Sequence, residues 1–356
     1  MELSAFYLPQ FHAIPENDAW WGEGFTEWTN VRRGRPLFRG HRQPVIPAEL
    51  GYYSLLDPEV RERQADLARA HGVASFCYWH YWFAGRRLLQ RPLDEVIASG
   101  RPNFPFFVAW ANESWTGVWH GSPRHVLVSQ TYPGPTDDRA HFACLLPAFR
   151  DERYVRRDGR PVFVVLRPTR LPAPAAFVDR WQAMARDAGF PGLYLVAYAT
   201  PARTCPSYAA DGFDAAIFAD LPIVRTWTTT LHACARALTP RCGPGRFSVP
   251  PEPALPPATM GAGCHPCVFP NWDNTPRSGR RGVVAVGTSP ATFRRHLAAA
   301  LRYEMHREPR PERRLVMIKS WNEWAEGNYL EPDTLHGTEW LEAVVSARRE
   351  NGLPEA

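Results

Sequence analysis

Eight short runs of almost unbroken apolar residues punctuate the chain: 5–8, 74–82, 104–111, 161–166, 193–198, 215–218, 267–269 and 315–318. They do not alternate polar with apolar positions, as a half-solvated strand would. Continuous apolar runs are expected of parallel strands covered on both faces. Between them lie segments with helical signals. Asp57 and Pro58 supply an N-cap and a first-turn proline, and Gly72 stops the segment. Gly100 stops a shorter candidate over 92–99, and Gly189 follows one over 174–188. Ser289-Pro290 opens a helix running to His306, and 338–350 closes the chain before Asn351-Gly352. Eight strands with helices between them predict an α/β fold, the (β/α)8 TIM barrel, as a single domain over 1–356. The stretch 220–263, rich in Pro, Gly, Cys and Thr, is expected to be a long irregular insertion between strands six and seven. A doubly wound sheet is the competing layout, but no GxGxxG follows a strand and no Walker A motif occurs.

Composition narrows the function classes. At 45% hydrophobic and 22% charged the chain is globular. No apolar run approaches the ~18 residues of a membrane span. The N-terminus lacks a basic segment followed by an apolar one, so a cytoplasmic location is expected. Of the 41 basic residues only Lys319 is lysine, and with 36 prolines this reads as compositional bias. The arginines are scattered among 36 acids rather than forming a stripe, which disfavours nucleic acid as a partner. Seven cysteines, an odd number, fit a reduced compartment. Cys264 and Cys267 form a lone CxxC, and Cys234 and Cys242 have the wrong spacing to complete a zinc knuckle. No metal and no cofactor is expected.

The candidate chemistry follows the tryptophans. Eleven of the fourteen fall in five short segments, 20–28, 79–82, 110–119, 272 and 321–324. Four of these segments end predicted strands, and the first follows strand one; in a barrel that face carries the active site. Indole rings mixed with carboxylates and amides suit a sugar, whose C–H face stacks on an aromatic while its hydroxyls need polar partners. The strongest segment runs from Trp321 to Glu331, with Asn322 and Trp324 beside Glu323 and Glu326. If it turns helically, the i, i+3 glutamates are neighbours. Two close carboxyls separate into one acid and one base, the pair that glycoside chemistry uses. Glu323 and Glu326 are therefore the candidate catalytic residues. Candidate substrate contacts are Trp110, Asn112, Glu113 and Trp115 after strand three, and Tyr78, His80 and Trp82 on one face of strand two. Trp272 and Asp273 follow strand seven. Tyr7, Gln10, His12, Trp21, Glu27 and Trp28 belong to strand one and its loop.

The segments FYLPQFH, WWGEGFTEW, GYY, FCYWHYWF, WANESW, NWDNTPR and WNEWAEG resemble the WbsX family, over residues 5 to about 335. Its members are named glycosyltransferases and occur in bacterial O-antigen and capsule polysaccharide loci. That family is similar in turn to glycoside hydrolase family 99, the (β/α)8 endo-α-mannosidases and endo-α-mannanases. The resemblance implies that Glu323 deprotonates a sugar 2-hydroxyl and Glu326 acts as general acid and base at the glycosidic oxygen. It also implies retention through a 1,2-anhydro sugar. Ala325 stands where the family-99 motif has histidine.

Three functions follow as expectations. The first is a metal-independent retaining glycosidase acting on an α-linked oligosaccharide or polysaccharide. The second is a glycosyltransferase in surface-polysaccharide assembly, although no DxD motif is present. The third is a non-catalytic sugar-binding barrel.

Overall fold

The computed structural model describes residues 2–117, 122–199, 205–221, 243–257, 260 and 263–354. All eight apolar runs form strands: β1 Glu2–Tyr7, β2 Ser75–Phe83, β3 Phe106–Trp110, β4 Arg160–Val165, β5 Tyr194–Ala199, β6 Ala215–Phe218, β7 Cys264–Val268 and β8 Leu315–Ile318. Each pairs in parallel with the next. β8 returns to β1 in the register Glu2↔Leu315 to Ala5↔Ile318, which closes the (β/α)8 barrel. Closure leaves no sheet edge, and helices cover the outside, so both faces of every strand are shielded.

The capping signals act as read from the sequence. The Glu59 N–H donates to Asp57 Oδ1 at 2.9 Å and opens the helix Pro58–Ala70. The Thr292 N–H donates to Ser289 Oγ at 3.2 Å and opens the helix Pro290–Arg307. One long helix escapes the sequence reading, Pro135–Arg150. Its buried stripe is His141, Phe142, Leu145, Ala148 and Phe149, interrupted by Pro147. Pro147 and Ala143 are both exposed, so solvent can take the carbonyl that proline leaves without an N–H.

Two short helices, Pro15–Trp21 and Glu27–Arg33, lie in the loop after β1. In the 220–263 stretch, residues 222–242, 258–259 and 261–262, with Trp227, Cys234 and Cys242, lie outside the described residues, as does Trp119. The described remainder is not wholly irregular. Gly245–Ser248 pairs in parallel with Val283–Val286, tying the excursion to the segment after β7. The CxxC lies within β7 itself, so Cys264 and Cys267 are buried strand residues. Among the described residues no helix is long and apolar enough to cross a membrane.

Candidate active site

A cavity of about 710 Å³ opens at the C-terminal ends of the strands. Its walls include Trp21, Trp79, Tyr81, Trp115, Tyr198 and Trp272, and its polar groups include Gln10, Glu113, Arg167, Arg277, Lys319, Glu323 and Glu326.

The loop after β8 builds the floor. Residues Trp324–Glu326 form a single 3-10 turn, with Glu323 at its start and Gly327 at its end in the left-handed region, φ 69°. Ser320 Oγ donates to the Asn328 carbonyl at 2.9 Å and accepts the Glu323 N–H at 3.0 Å. Asn322 clamps the loop to β1: its Oδ1 accepts the Leu8 N–H at 2.7 Å and its Nδ2 donates to the Leu8 carbonyl at 3.1 Å. The turn brings the Glu323 and Glu326 side chains into hydrogen-bonding contact.

The two carboxyls have opposite electrostatic surroundings. Burial pushes Glu323 upward, but the Lys319 ammonium, the bond with Glu326 and the Arg277 guanidinium outweigh it, and Glu323 is held well below the usual range. Lys319 Nζ donates to Glu323 Oε1 at 2.9 Å and Trp79 Nε1 donates to the same oxygen at 2.8 Å. Glu326 is pushed up to about 7, by burial first and then by the charge of Glu323, against the pull of Arg277. Arg277 is shared: its Nε donates to Glu27 Oε1 at 2.6 Å and its Nη1 to Glu326. Glu27 is fully buried, and burial raises its carboxyl against the pull of Arg277. Three carboxyls thus surround two cations. Keeping one carboxyl protonated balances the charge, and Glu326 is the one beside the cavity whose surroundings favour it. The arrangement can accept a proton at Glu323 and donate one at Glu326.

Residues 3–344 match the family model for glycosyltransferase WbsX. The chain belongs to the WbsX family. It is 39% identical over 352 residues to the protein WxcX of Xanthomonas campestris pv. campestris strain B100, covering 97% of this chain and 49% of that protein. The WxcX of strain ATCC 33913 matches to the same extent, so the chain spans about half the length of the curated relatives it matches. Among solved structures it is similar to a glycoside hydrolase-like protein, with a TM-score of 0.60 and 14% identity over 98% of this chain and 93% of that one. It is also similar to the GH99 endo-alpha-mannosidase of Bacteroides thetaiotaomicron, with a TM-score of 0.57 and 13% identity over 99% and 98% of the two chains. At such identities these structures are alike in fold.

In this WbsX-family barrel the residues singled out from the sequence divide into two layers. Gln10, Trp21, Glu113, Trp115, Trp272, Glu323 and Glu326 line the cavity. The others sit behind it. Asn112 grips the Arg167 peptide, its Oδ1 accepting that N–H at 2.7 Å and its Nδ2 donating to that carbonyl at 2.9 Å. Arg167 Nε in turn donates to Glu113 Oε2 at 2.8 Å. Trp28 Nε1 donates to the Tyr53 carbonyl at 2.8 Å, and Trp324 Nε1 to Glu331 Oε2 at 2.6 Å. His12 Nδ1 lies 2.9 Å from the Pro9 carbonyl, and Tyr7 donates to Gln64 Oε1 at 2.6 Å. Asp273 is held by His41, Gln43 and Thr275.

Strand two needs a correction of phase. Tyr78, His80 and Trp82 point outward to the helices. Tyr78 packs on Tyr7, and His80 Nε2 lies 2.9 Å from His141 Nε2. Trp82 stacks on the His141 ring at 4.8 Å, and the Trp110 ring meets the same imidazole. It is Trp79 and Tyr81, on the opposite face, that reach the cavity. A strand buried on both sides has no polar face to reveal which side is the lumen. The tryptophans therefore do two jobs. Trp21, Trp79, Trp115 and Trp272 line the cavity, while Trp28, Trp82, Trp110, Trp321 and Trp324 frame it.

Sequence reasoning also missed Lys319, Arg277 and Arg167. Two signals were available. Lys319 is the lone lysine among forty arginines, and Arg277 ends the NWDNTPR segment. Arg167 carries no distinguishing signal in the sequence.

Proposed function

We propose that this barrel is a carbohydrate-active enzyme that hydrolyses an α-linked glycan of the bacterial-surface-polysaccharide class with retention of configuration. One observation carries the reading: Glu323 and Glu326 touch at the floor of an aromatic cavity, one held ionised and the other biased toward its acid form. Contact between the carboxyls is compatible with retention rather than with the wider spacing of inverting pairs.

In the proposed first step the Glu323 carboxylate takes the proton of the sugar 2-hydroxyl. O2 then attacks C1 and forms a 1,2-anhydro ring as the C1–O bond to the leaving sugar breaks. The departing oxygen receives the proton of Glu326. In the second step Glu326, now a carboxylate, takes a proton from water, and the water oxygen attacks C1. The C1–O2 bond opens and O2 recovers its proton from Glu323. The sum is one glycoside and one water converted to two sugars. The test is incubation with α-linked bacterial polysaccharides and α-mannans. New reducing ends, with a first-formed α-anomer seen by proton NMR, support the reading. A Glu326→Gln protein that cleaves unactivated glycan at the wild-type rate sinks it.

A second reading, glycosyl transfer, is favoured by the name of the family model and by Arg167. Among the described residues that guanidinium is held only at Nε, by Glu113, so its terminal nitrogens can meet the phosphates of an activated sugar. Stabilisation against heat by a nucleotide sugar, lost in Arg167→Met, would favour transfer over hydrolysis.

A further inference from the structure

We infer that Lys319 is a positioning residue that fixes Glu323 through Oε1 and reserves Oε2 for the substrate. The inference deepens the two-carboxylate reading and rests on it. Lys319 Nζ and Trp79 Nε1 both donate to Oε1, at 2.9 and 2.8 Å. Two donors on one oxygen fix the rotation of the carboxyl and leave the other oxygen outside both bonds.

The ammonium is itself held. It lies 5.3 Å from the Trp79 ring centroid and 6.0 Å from that of Phe6, and those two rings stack at 4.6 Å with an interplanar angle of 5°. The lysine side chain is only 12% exposed. An ammonium this dry would shed its proton without an anion beside it. Burial pulls Lys319 down, and Glu323 and then Glu326 overcome it and keep the cation charged. Two tethers thus meet at one carboxyl oxygen, a charge and an indole N–H, and the ring faces beside the ammonium hold the charge in turn.

The residue type supports the assignment. Every other basic position in this chain is arginine. A guanidinium is planar and broad, with donors in a fixed fork, whereas an ammonium is a compact point charge. Beside two stacked rings, with one oxygen to reach, the compact cation fits the space.

The test replaces Lys319 and titrates Glu323 in substrate-free protein. The side-chain carbons of glutamate are labelled with carbon-13, and the Glu323 signal is assigned by its loss in Glu323→Gln. The groups that face this pair are Glu326 on the same loop, Arg277 after β7, Cys267 in β7, Glu27 after β1, and Tyr81 and Tyr198 across the cavity. In Lys319→Met the Glu323 titration is expected to move up by at least about one pH unit, because the nearest opposite charge is gone. Lys319→Arg is expected to restore part of the shift. If Lys319→Met does not fold, Lys319→Gln, which keeps a donor without charge, gives the same measurement. On a cleaved glycan, the acid limb of the rate profile should move with the titration, and kcat should fall more than KM rises. A Glu323 titration unchanged in the variants overturns the inference, whatever the catalysis does. A titration that moves while Glu326→Gln stays fully active overturns the hydrolytic reading and leaves the role of Lys319 at Glu323 standing.

Discussion

The backbone N–H of Asp273 donates to the carbonyl of Glu326 at 2.7 Å, so the loop after β7 carries the acid-bearing turn of the loop after β8. Asp273 is rigid enough to do so. Its Oδ2 accepts from His41 Nε2 at 2.8 Å and Gln43 Nε2 at 2.6 Å, and its Oδ1 from the Thr275 N–H and hydroxyl at 3.0 and 2.6 Å. Because His41 Nδ1 accepts the Leu37 N–H, its Nε2 carries the proton. Burial pushes the Asp273 carboxyl upward, but these donors outweigh it and hold it below the usual range.

Gly327 lies against the same residue. A Cβ there would sit 2.7 Å from the Asp273 nitrogen, and its φ of 69° is left-handed. Gly327→Ala is therefore expected to push the Glu326 turn off Asp273. Activity should fall on the order of 10²-fold, as displacements of about 1 Å at a reacting group commonly cause. Far-ultraviolet circular dichroism should remain that of the parent, and the melting temperature should drop by a few degrees. Full activity in the alanine variant would show that this contact does not position Glu326.

The paired carboxyls give a signed pH dependence. In the proposed mechanism Glu323 must be ionised; its carboxyl is lowered, so activity should fall only at distinctly acid pH. Glu326 must be protonated and is raised to about 7, so activity should fall as pH rises through neutrality. The rate profile should be bell-shaped, with Glu326→Gln losing both the alkaline limb and roughly 10²–10⁴-fold of the rate. An alkaline limb that persists in that variant would assign the limb to another group.

Arg277 joins the buried Glu27 to the part-buried Glu326. Arg277→Met leaves the buried Glu27 carboxyl without its cation, and breaking such a buried pair costs roughly 3–5 kcal/mol. Chemical denaturation should show that loss. Removing the Glu27 charge as well, in Glu27→Gln/Arg277→Met, should recover part of it. Equal losses in the single and double variants would mean that the two side chains are not energetically coupled.

Glu331 supports the floor from behind. It accepts from Gln64 Nε2 at 2.6 Å, Tyr53 at 2.9 Å, Trp321 Nε1 at 3.0 Å and Trp324 Nε1 at 2.6 Å. Glu331→Gln keeps the shape but turns an amide donor toward donors. A loss of roughly 1–3 kcal/mol in unfolding free energy is expected, as for a buried donor left unsatisfied. A variant as stable as the parent would show that the indoles find other acceptors.

The eight apolar runs were enough to determine the barrel. Strands covered on both faces must be apolar throughout, and that pattern is local and visible along the chain. Asp57 and Ser289 announced their helices because capping is a contact within one turn. The helix 135–150 stayed hidden because Pro147 interrupts its pattern, and only an exposed face makes that proline tolerable. The adjacency of Glu323 and Glu326 was also legible, since it depends on three residues of one turn.

The partners of that pair come from elsewhere in the chain and could not be read the same way. Trp79 reaches Glu323 across 244 positions and Glu27 reaches Arg277 across 250. The same continuous apolarity that announced the strands hid which of their faces looks into the barrel, so Trp79 and Tyr81 could be separated from Tyr78, His80 and Trp82 only once the sheet had closed. Lys319 stood out in the sequence only as an oddity of composition. Closure of the barrel put it beside Glu323, where its charge joins Arg277 in holding that carboxyl low.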